Sequence, residues 1–160
     1  KKKECLILNY MKQTENDAEF IYFDLDIFMT PATQTLFQNI FESYAFDVSY
    51  IHRGFQSKWG IVNTGIVLFR NTKQTKIWLH EMYKAVMYRQ RNPQLTIDVL
   101  LHVSMRTIFS SFIVNETQFL LLPSNPYNIL SKWRDCKNHG VHHYHGPYKS
   151  NLMKCVKIYS

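Results

Sequence analysis

The sequence has few cysteines and no long apolar run. Its three cysteines, Cys5, Cys136 and Cys155, are not spaced as metal ligands, and an odd number cannot all pair internally. They therefore leave the redox compartment open. No stretch approaches the roughly 18–20 apolar residues that span a bilayer, and no signal-peptide core follows Lys1–Glu4. We expect a soluble chain without a transmembrane segment.

Acidic residues are also in the minority. Twelve Asp and Glu face nineteen Lys and Arg, and the formal net charge is +7. This excess suggests an anionic partner. The basic residues form no long block, which argues against a nucleic-acid-binding arm.

Apolar residues are plentiful. They make up 46% of the 160 residues, and aromatic residues make up 15%. This composition supports a bulky hydrophobic core, and the length predicts one domain over 1–160.

The most informative stretch is Phe20–Asp26, an apolar run that ends in two carboxylates separated by Leu25. Its length and its aromatic and Ile content predict a β-strand. Ligands of open α/β sheets bind beyond the carboxyl ends of the strands, where two carboxylates could hold Mg²⁺ or Mn²⁺. The alternative is a strand that ends in a simple acidic turn.

A second informative stretch is Ile61–Phe69, an apolar run interrupted by Asn63-Thr64-Gly65. Glycine weakens a buried strand and usually marks a bulge or a place where backbone meets a ligand. The alternative is a turn between two short strands.

Hydrophobic periodicity and turn residues predict the remaining elements. Helices are predicted over 4–12, from Pro31, over 72–89 and over 93–105, and strands over 45–51, 112–114 and 119–122. Asp98 lies in the last of these helices among apolar residues, so its side chain faces either solvent or a site.

Four of the seven histidines lie between residues 139 and 145. Imidazole is a good ligand for Mn²⁺ and Zn²⁺, although no cysteines stand at zinc-finger spacing. If this segment is a strand, His143 and His145 share a face and His142 points away. Gly146 would let the backbone approach a phosphate, and Lys149 suits a diphosphate. The alternative is a histidine-rich surface loop.

In this order, the motifs resemble retaining, nucleotide-sugar-dependent glycosyltransferases of the GT-A fold, a group that includes glycogenin and galactosyltransferase-like enzymes. The resemblance covers about residues 6–149. It rests on Asp24-Leu25-Asp26, on Asn63-Thr64-Gly65, on Asp98 in Thr96–Val99, and on His143–Lys149, which fits His-x-x-Gly-x-x-Lys. Val99 stands where the family has Gln.

The resemblance implies an α/β fold with a mixed sheet flanked by helices, and a metal-dependent hexosyltransferase-type activity. Asp24, Asp26 and His143 would hold Mn²⁺ or Mg²⁺. Lys149 would reach the diphosphate of the nucleotide-sugar donor. Asn63 and Asp98 would orient the donor hydroxyls and the acceptor, which would be a glycan, protein or lipid.

The resemblance also implies a place in the family fold. Only 23 residues precede Asp24, whereas one βαβ unit takes roughly 30 or more. We therefore expect the chain to be the C-terminal part of a GT-A fold that lacks most of the nucleotide-binding βαβ part. The expected compartment is the Golgi lumen in a eukaryote and the cytoplasm in a bacterium or virus.

Two other functions fit parts of the sequence. One is a catalytically inactive glycosyltransferase-like fragment or binding protein, which the short segment before Asp24 favours. The other is a metal-dependent phosphohydrolase that would use Asp24, Asp26 and the histidines. The further acidic ligands and the Ser/Thr-Lys pair expected of an aspartyl-phosphate hydrolase are not evident.

Overall fold

The computed structural model describes residues 3–30, 33–54, 60–89, 93–127, 129–130, 141–144 and 152. The helices are α1 (Lys3–Gln13), α2 (Thr33–Ser43), α3 (Lys73–Arg89), α4 (Pro93–Leu100) and a short kinked turn, α5 (Ser124–Tyr127). The strands are β1 (Glu19–Phe23), β2 (Ile27–Met29), β3 (Val48–His52), β4 (Val62–Arg70), β5 (Ser111–Val114), β6 (Thr117–Pro123), β7 (Ile129–Leu130) and β8 (Val141–His143).

The main sheet has five strands in the order β1-β4-β3-β6-β5. Only β3 and β6 pair in parallel, and the other neighbours are antiparallel. A smaller sheet has the order β2-β8-β7. The chain leaves β1 at Phe23 and enters β2 at Ile27, so the Asp-x-Asp motif connects the two sheets.

Helices cover both faces of the main sheet because its central strands are apolar on both sides. One core contains side chains from α1, α3 and α4 with Val67 and Phe69 of β4. The opposite core contains side chains from α2 with Ile66 and Leu68 of β4. Successive residues of a strand point to opposite faces, which explains this division.

Strand β4 is one strand with a bulge. Opposite Tyr50 and Ile51 of β3, the paired residue in β4 moves from Val67 to Asn63, which leaves 64–66 outside the ladder with β3. The predicted bulge is therefore correct, and the alternative of a turn between two short strands is wrong.

The helix predicted over 93–105 is too long. Helix α4 ends at Leu100, and His102 adopts a left-handed backbone conformation at φ 49° before a 3-10 turn at Val103–Met105. A left-handed residue cannot continue a right-handed helix. The apolar periodicity continues past this residue, which is why the sequence pattern did not predict the stop.

The structure also gives a result on membrane spans. Among the described residues, no helix combines the length and the apolar character needed to cross a bilayer.

Candidate metal and substrate site

The Asp-x-Asp motif forms a tight turn at the end of β1. The N–H of Ile27 donates to the carbonyl of Asp24 over 3.2 Å, and Leu25 between the acids is fully exposed. The Asp24 side chain is 38% exposed, whereas that of Asp26 is 15% exposed. The motif is thus a turn, and its two carboxylates point to a common neighbour.

That neighbour is His143, which the smaller sheet brings to the turn. Strand β8 pairs with β2, the strand that follows Asp26, and this register places His143 opposite Ile27. The N–H of Tyr144 donates to the carbonyl of Asp26 over 2.9 Å. The pairing therefore joins two segments more than 100 residues apart, and it leaves His143 beside the Asp26 side chain.

Asp24, Asp26 and His143 each offer one ligand atom, and these atoms lie within 4.8 Å of one another. His143 Nε2 is 3.1 Å from Asp26 Oδ1, and the imidazole is almost fully buried. Two carboxylate oxygens and one imidazole nitrogen suit Mn²⁺, and carboxylate oxygens also suit Mg²⁺. The structure thus brings together the three residues that were predicted as metal ligands.

Gly65 lies directly against this cluster. A Cβ on Gly65 would be 2.7 Å from His143 Cε1 and 3.0 Å from Asp24 Oδ2. The Gly65 carbonyl accepts the N–H of Asp24 over 2.8 Å, and its N–H donates to Asn63 Oδ1 over 2.6 Å. The Asn-Thr-Gly motif therefore supports the Asp24 turn through a close backbone approach, which a side chain at position 65 would prevent.

Two further residues contact Asp24 and were not predicted from the sequence. The Tyr22 hydroxyl donates to Asp24 Oδ1 over 2.8 Å. Lys3 Nζ lies 3.5 Å from the same oxygen, donates to the Thr64 carbonyl and lies over the Tyr22 ring. No motif linked α1 to this site, because the contact depends on how α1 packs beside β1.

The surroundings of Lys3 and Tyr22 shift the pKa of each side chain. Burial lowers the pKa of Lys3, and the charge of Asp24 opposes this change. Burial and the hydrogen bond to Asp24 raise the pKa of Tyr22. Tyr22 therefore stays protonated as a donor, and the Asp24 carboxylate has a neighbouring cation.

Asp98 lies outside the cluster of three ligands. Its carboxylate accepts the backbone N–H groups of Ile61 and Val62 over 2.7 and 2.9 Å, and a Cβ on Gly60 would be 2.8 Å from it. Asp98 is half-buried and holds the start of β4. Its role in orienting substrate stays a prediction.

The remaining predicted site residues fall into two groups. Thr64 is half-buried in the β4 bulge. Gly146 and Lys149 lie outside the described residues, so their predicted contacts with the diphosphate stay predictions.

A matched pair of substitutions tests whether β8 supplies a metal ligand, and from which face. His143→Ala should lower Mn²⁺ affinity by at least about tenfold. Even mutation of a residue that only contacts a metal ligand lowers metal affinity about 10–100-fold. His142→Ala removes an equally buried imidazole one residue away and should leave Mn²⁺ affinity unchanged. Calorimetric titration with Mn²⁺ measures both, and equal losses in the two variants would contradict the assignment of His143.

Comparison with known proteins agrees with the architecture. No family model matches the chain, and no curated protein matches it. Among solved structures, its fold is similar to that of a glycosyltransferase. That structure is a glycosyltransferase involved in the glycosylation of the major capsid of PBCV-1, matched with a TM-score of 0.66 and 12% identity over 98% of this chain and 74% of that chain. The predicted fold class, α/β with a mixed sheet flanked by helices, is confirmed.

Proposed function

We propose that this chain belongs to a retaining, GT-A-type glycosyltransferase that transfers a sugar from a nucleotide-diphosphate sugar to an acceptor. The observation that carries the proposal is the convergence of Asp24, Asp26 and His143 within 4.8 Å, at the end of a strand in a glycosyltransferase-like fold. His143 lies more than 100 residues after the two aspartates, and it meets them through β2–β8 pairing.

The donor set fits Mn²⁺ or Mg²⁺ held by Asp24, Asp26 and His143. Its chemistry is that of hard oxygens with one imidazole and no thiolate, which matches these cations better than a structural zinc site. When bound, such a cation neutralises negative charge on the diphosphate leaving group.

The chain's own residues would prepare this site. Tyr22 and Lys3 hold the Asp24 carboxylate in place, and Gly65 keeps the strand close behind it. Asn63 and Asp98 would orient donor hydroxyls and acceptor. Gly146 and Lys149 would contact the diphosphate.

The transfer itself would break the bond between the sugar's anomeric carbon and the diphosphate. A new bond to the acceptor oxygen forms on the same face of the sugar. The acceptor hydroxyl's proton passes to the leaving phosphate, so no carboxylate base is required. The acceptor would be a glycan, protein or lipid, and the compartment the Golgi lumen in a eukaryote or the cytoplasm in a bacterium or virus.

Nucleotide binding tests this function directly. We expect calorimetry to detect binding of UDP or GDP in the presence of MnCl₂, and EDTA to abolish it. Hydrolysis of a generic phosphomonoester is the counter-assay, with buffer and Mn²⁺ alone as the blank.

Two outcomes would contradict the proposal. Failure of both nucleotides to bind with Mn²⁺ present would favour the inactive fragment or binding protein. Mn²⁺-dependent release of phosphate from the phosphomonoester, lost in Asp26→Asn, would favour the phosphohydrolase.

A further inference from the structure

Arg53 is a half-buried cation beside the candidate site. It follows β3 directly, and its N–H donates to the Ile61 carbonyl over 2.6 Å. The N–H of that same Ile61 donates to Asp98. Arg53 therefore lies where the end of β3 meets the start of β4, next to the segment that Asp98 holds.

The Arg53 guanidinium lacks a side-chain partner within the part of the chain that the structure describes. Among the described residues, it makes no ion pair within 4.0 Å and no side-chain hydrogen bond. An arginine stays protonated in proteins, and a charge removed from water is normally paired. Its five N–H donors therefore lie in a partly desolvated position and are not used by any described residue.

Two acids act on Arg53 electrostatically but are not its hydrogen-bond partners. The negative charges of Asp98 and Asp24 oppose the lowering of the Arg53 pKa that burial causes. Asp98, however, is occupied by two backbone N–H groups, and Asp24 by Tyr22 and Lys3. Their charges lower the cost of keeping Arg53 at this position, but their oxygens have other donors.

We propose that the Arg53 guanidinium binds an anionic group of the substrate, a phosphate or a carboxylate, beside the start of β4 that Asp98 holds. A planar guanidinium matches both groups with two parallel N–H···O bonds. The anion could come from the diphosphate of the donor or from an acidic acceptor sugar. That the anion belongs to a substrate rests on the proposed function, whereas the anion site itself rests on the position of Arg53.

Chemical protection tests the site without any turnover. Phenylglyoxal modifies free arginines, and mass spectrometry follows Arg53 and, as internal reference, Arg106, whose Nε donates to the Leu101 carbonyl. With EDTA present, inorganic pyrophosphate or methyl glucuronide should slow modification of Arg53 several-fold and leave Arg106 unchanged. Protection by pyrophosphate would show that Arg53 binds the diphosphate of the donor. Protection by the glucuronide would show that Arg53 binds an acidic acceptor sugar.

Variants give a second readout. Arg53→Gln should lower the affinity for the protecting anion, measured by calorimetry, about ten- to hundredfold, as expected for loss of a charge-assisted hydrogen bond. Arg53→Lys should retain part of the affinity, and Arg106→Gln should retain all of it. Thermal unfolding of each variant separates loss of the site from loss of the fold.

The inference and the proposed function can fail separately. If neither anion protects Arg53 while Mn²⁺-dependent UDP binding is normal, the anion site is overturned and the transferase stands. If an anion protects Arg53 while no nucleotide binds with Mn²⁺, the anion site stands and the transferase is overturned.

Discussion

Asp26→Asn is expected to lower Mn²⁺ affinity at least about 100-fold. Mutation of a residue that only contacts a metal ligand costs roughly 10–100-fold in affinity, and loss of a ligand itself should cost more. The change keeps the shape of the side chain but removes the charge that faces His143 Nε2 at 3.1 Å. Nucleotide binding that depends on Mn²⁺ should be lost with it. Calorimetric titration with Mn²⁺, followed by UDP at saturating Mn²⁺, measures both effects.

Asp17→Asn is the matched control for this substitution. Asp17 is exposed, lies seven residues before Asp24 and has a left-handed backbone at φ 62°, which asparagine also tolerates. This variant should keep the wild-type affinity for Mn²⁺. If Asp26→Asn binds Mn²⁺ as tightly as Asp17→Asn does, the cluster is not the metal site.

Gly65→Ala is expected to displace the side chains of the site that lie against this glycine. The added methyl would lie 2.7 Å from His143 Cε1 and 3.0 Å from both Asn63 Oδ1 and Asp24 Oδ2. Overpacking of this kind costs about 1–3 kcal/mol of stability. Mn²⁺ affinity should fall more than about tenfold, because a site needs its ligands within about 0.5 Å of the productive geometry. Thermal unfolding and Mn²⁺ titration measure the two losses.

Gly54→Ala separates lost stability from a displaced site. A Cβ there meets no atom within 4 Å, but the backbone is at φ +94°, a conformation that costs alanine energy. This variant should lose stability and keep its Mn²⁺ affinity. Unchanged Mn²⁺ affinity in Gly65→Ala would show that the glycine is not needed for the ligand geometry.

Local sequence patterns predicted much of the architecture. The apolar stripes over 4–12 and 72–89 correspond to α1 and α3 within one residue at each end. The aromatic run before Asp24 is β1, and the glycine within 61–69 marks the bulge in β4. These features depend on the alternation of side chains and on turn chemistry between near neighbours, which are written in the sequence.

Contacts between distant segments were harder to predict. Strand β2 has three residues, too few for an alternation pattern, yet its pairing with β8 places His143 beside Asp26. Lys3 lies near Asp24 because of helix packing, and Arg53 lies beside the segment that Asp98 holds because of a strand connection. Neither position follows from a motif. Their importance is visible only once the elements are assembled.

The sequence by itself therefore determined most of the helices and strands, the carboxylate pair after β1 and the glycine that allows a close approach. The tertiary structure alone decided that Asp24, Asp26 and His143 meet within 4.8 Å, that Lys3 lies 3.5 Å from Asp24, and that the Arg53 side chain makes no ion pair with a described residue. The physical reason is that periodicity reports which face of an element is apolar, whereas a site depends on which faces and edges meet. That outcome is set by packing and pairing over the whole chain.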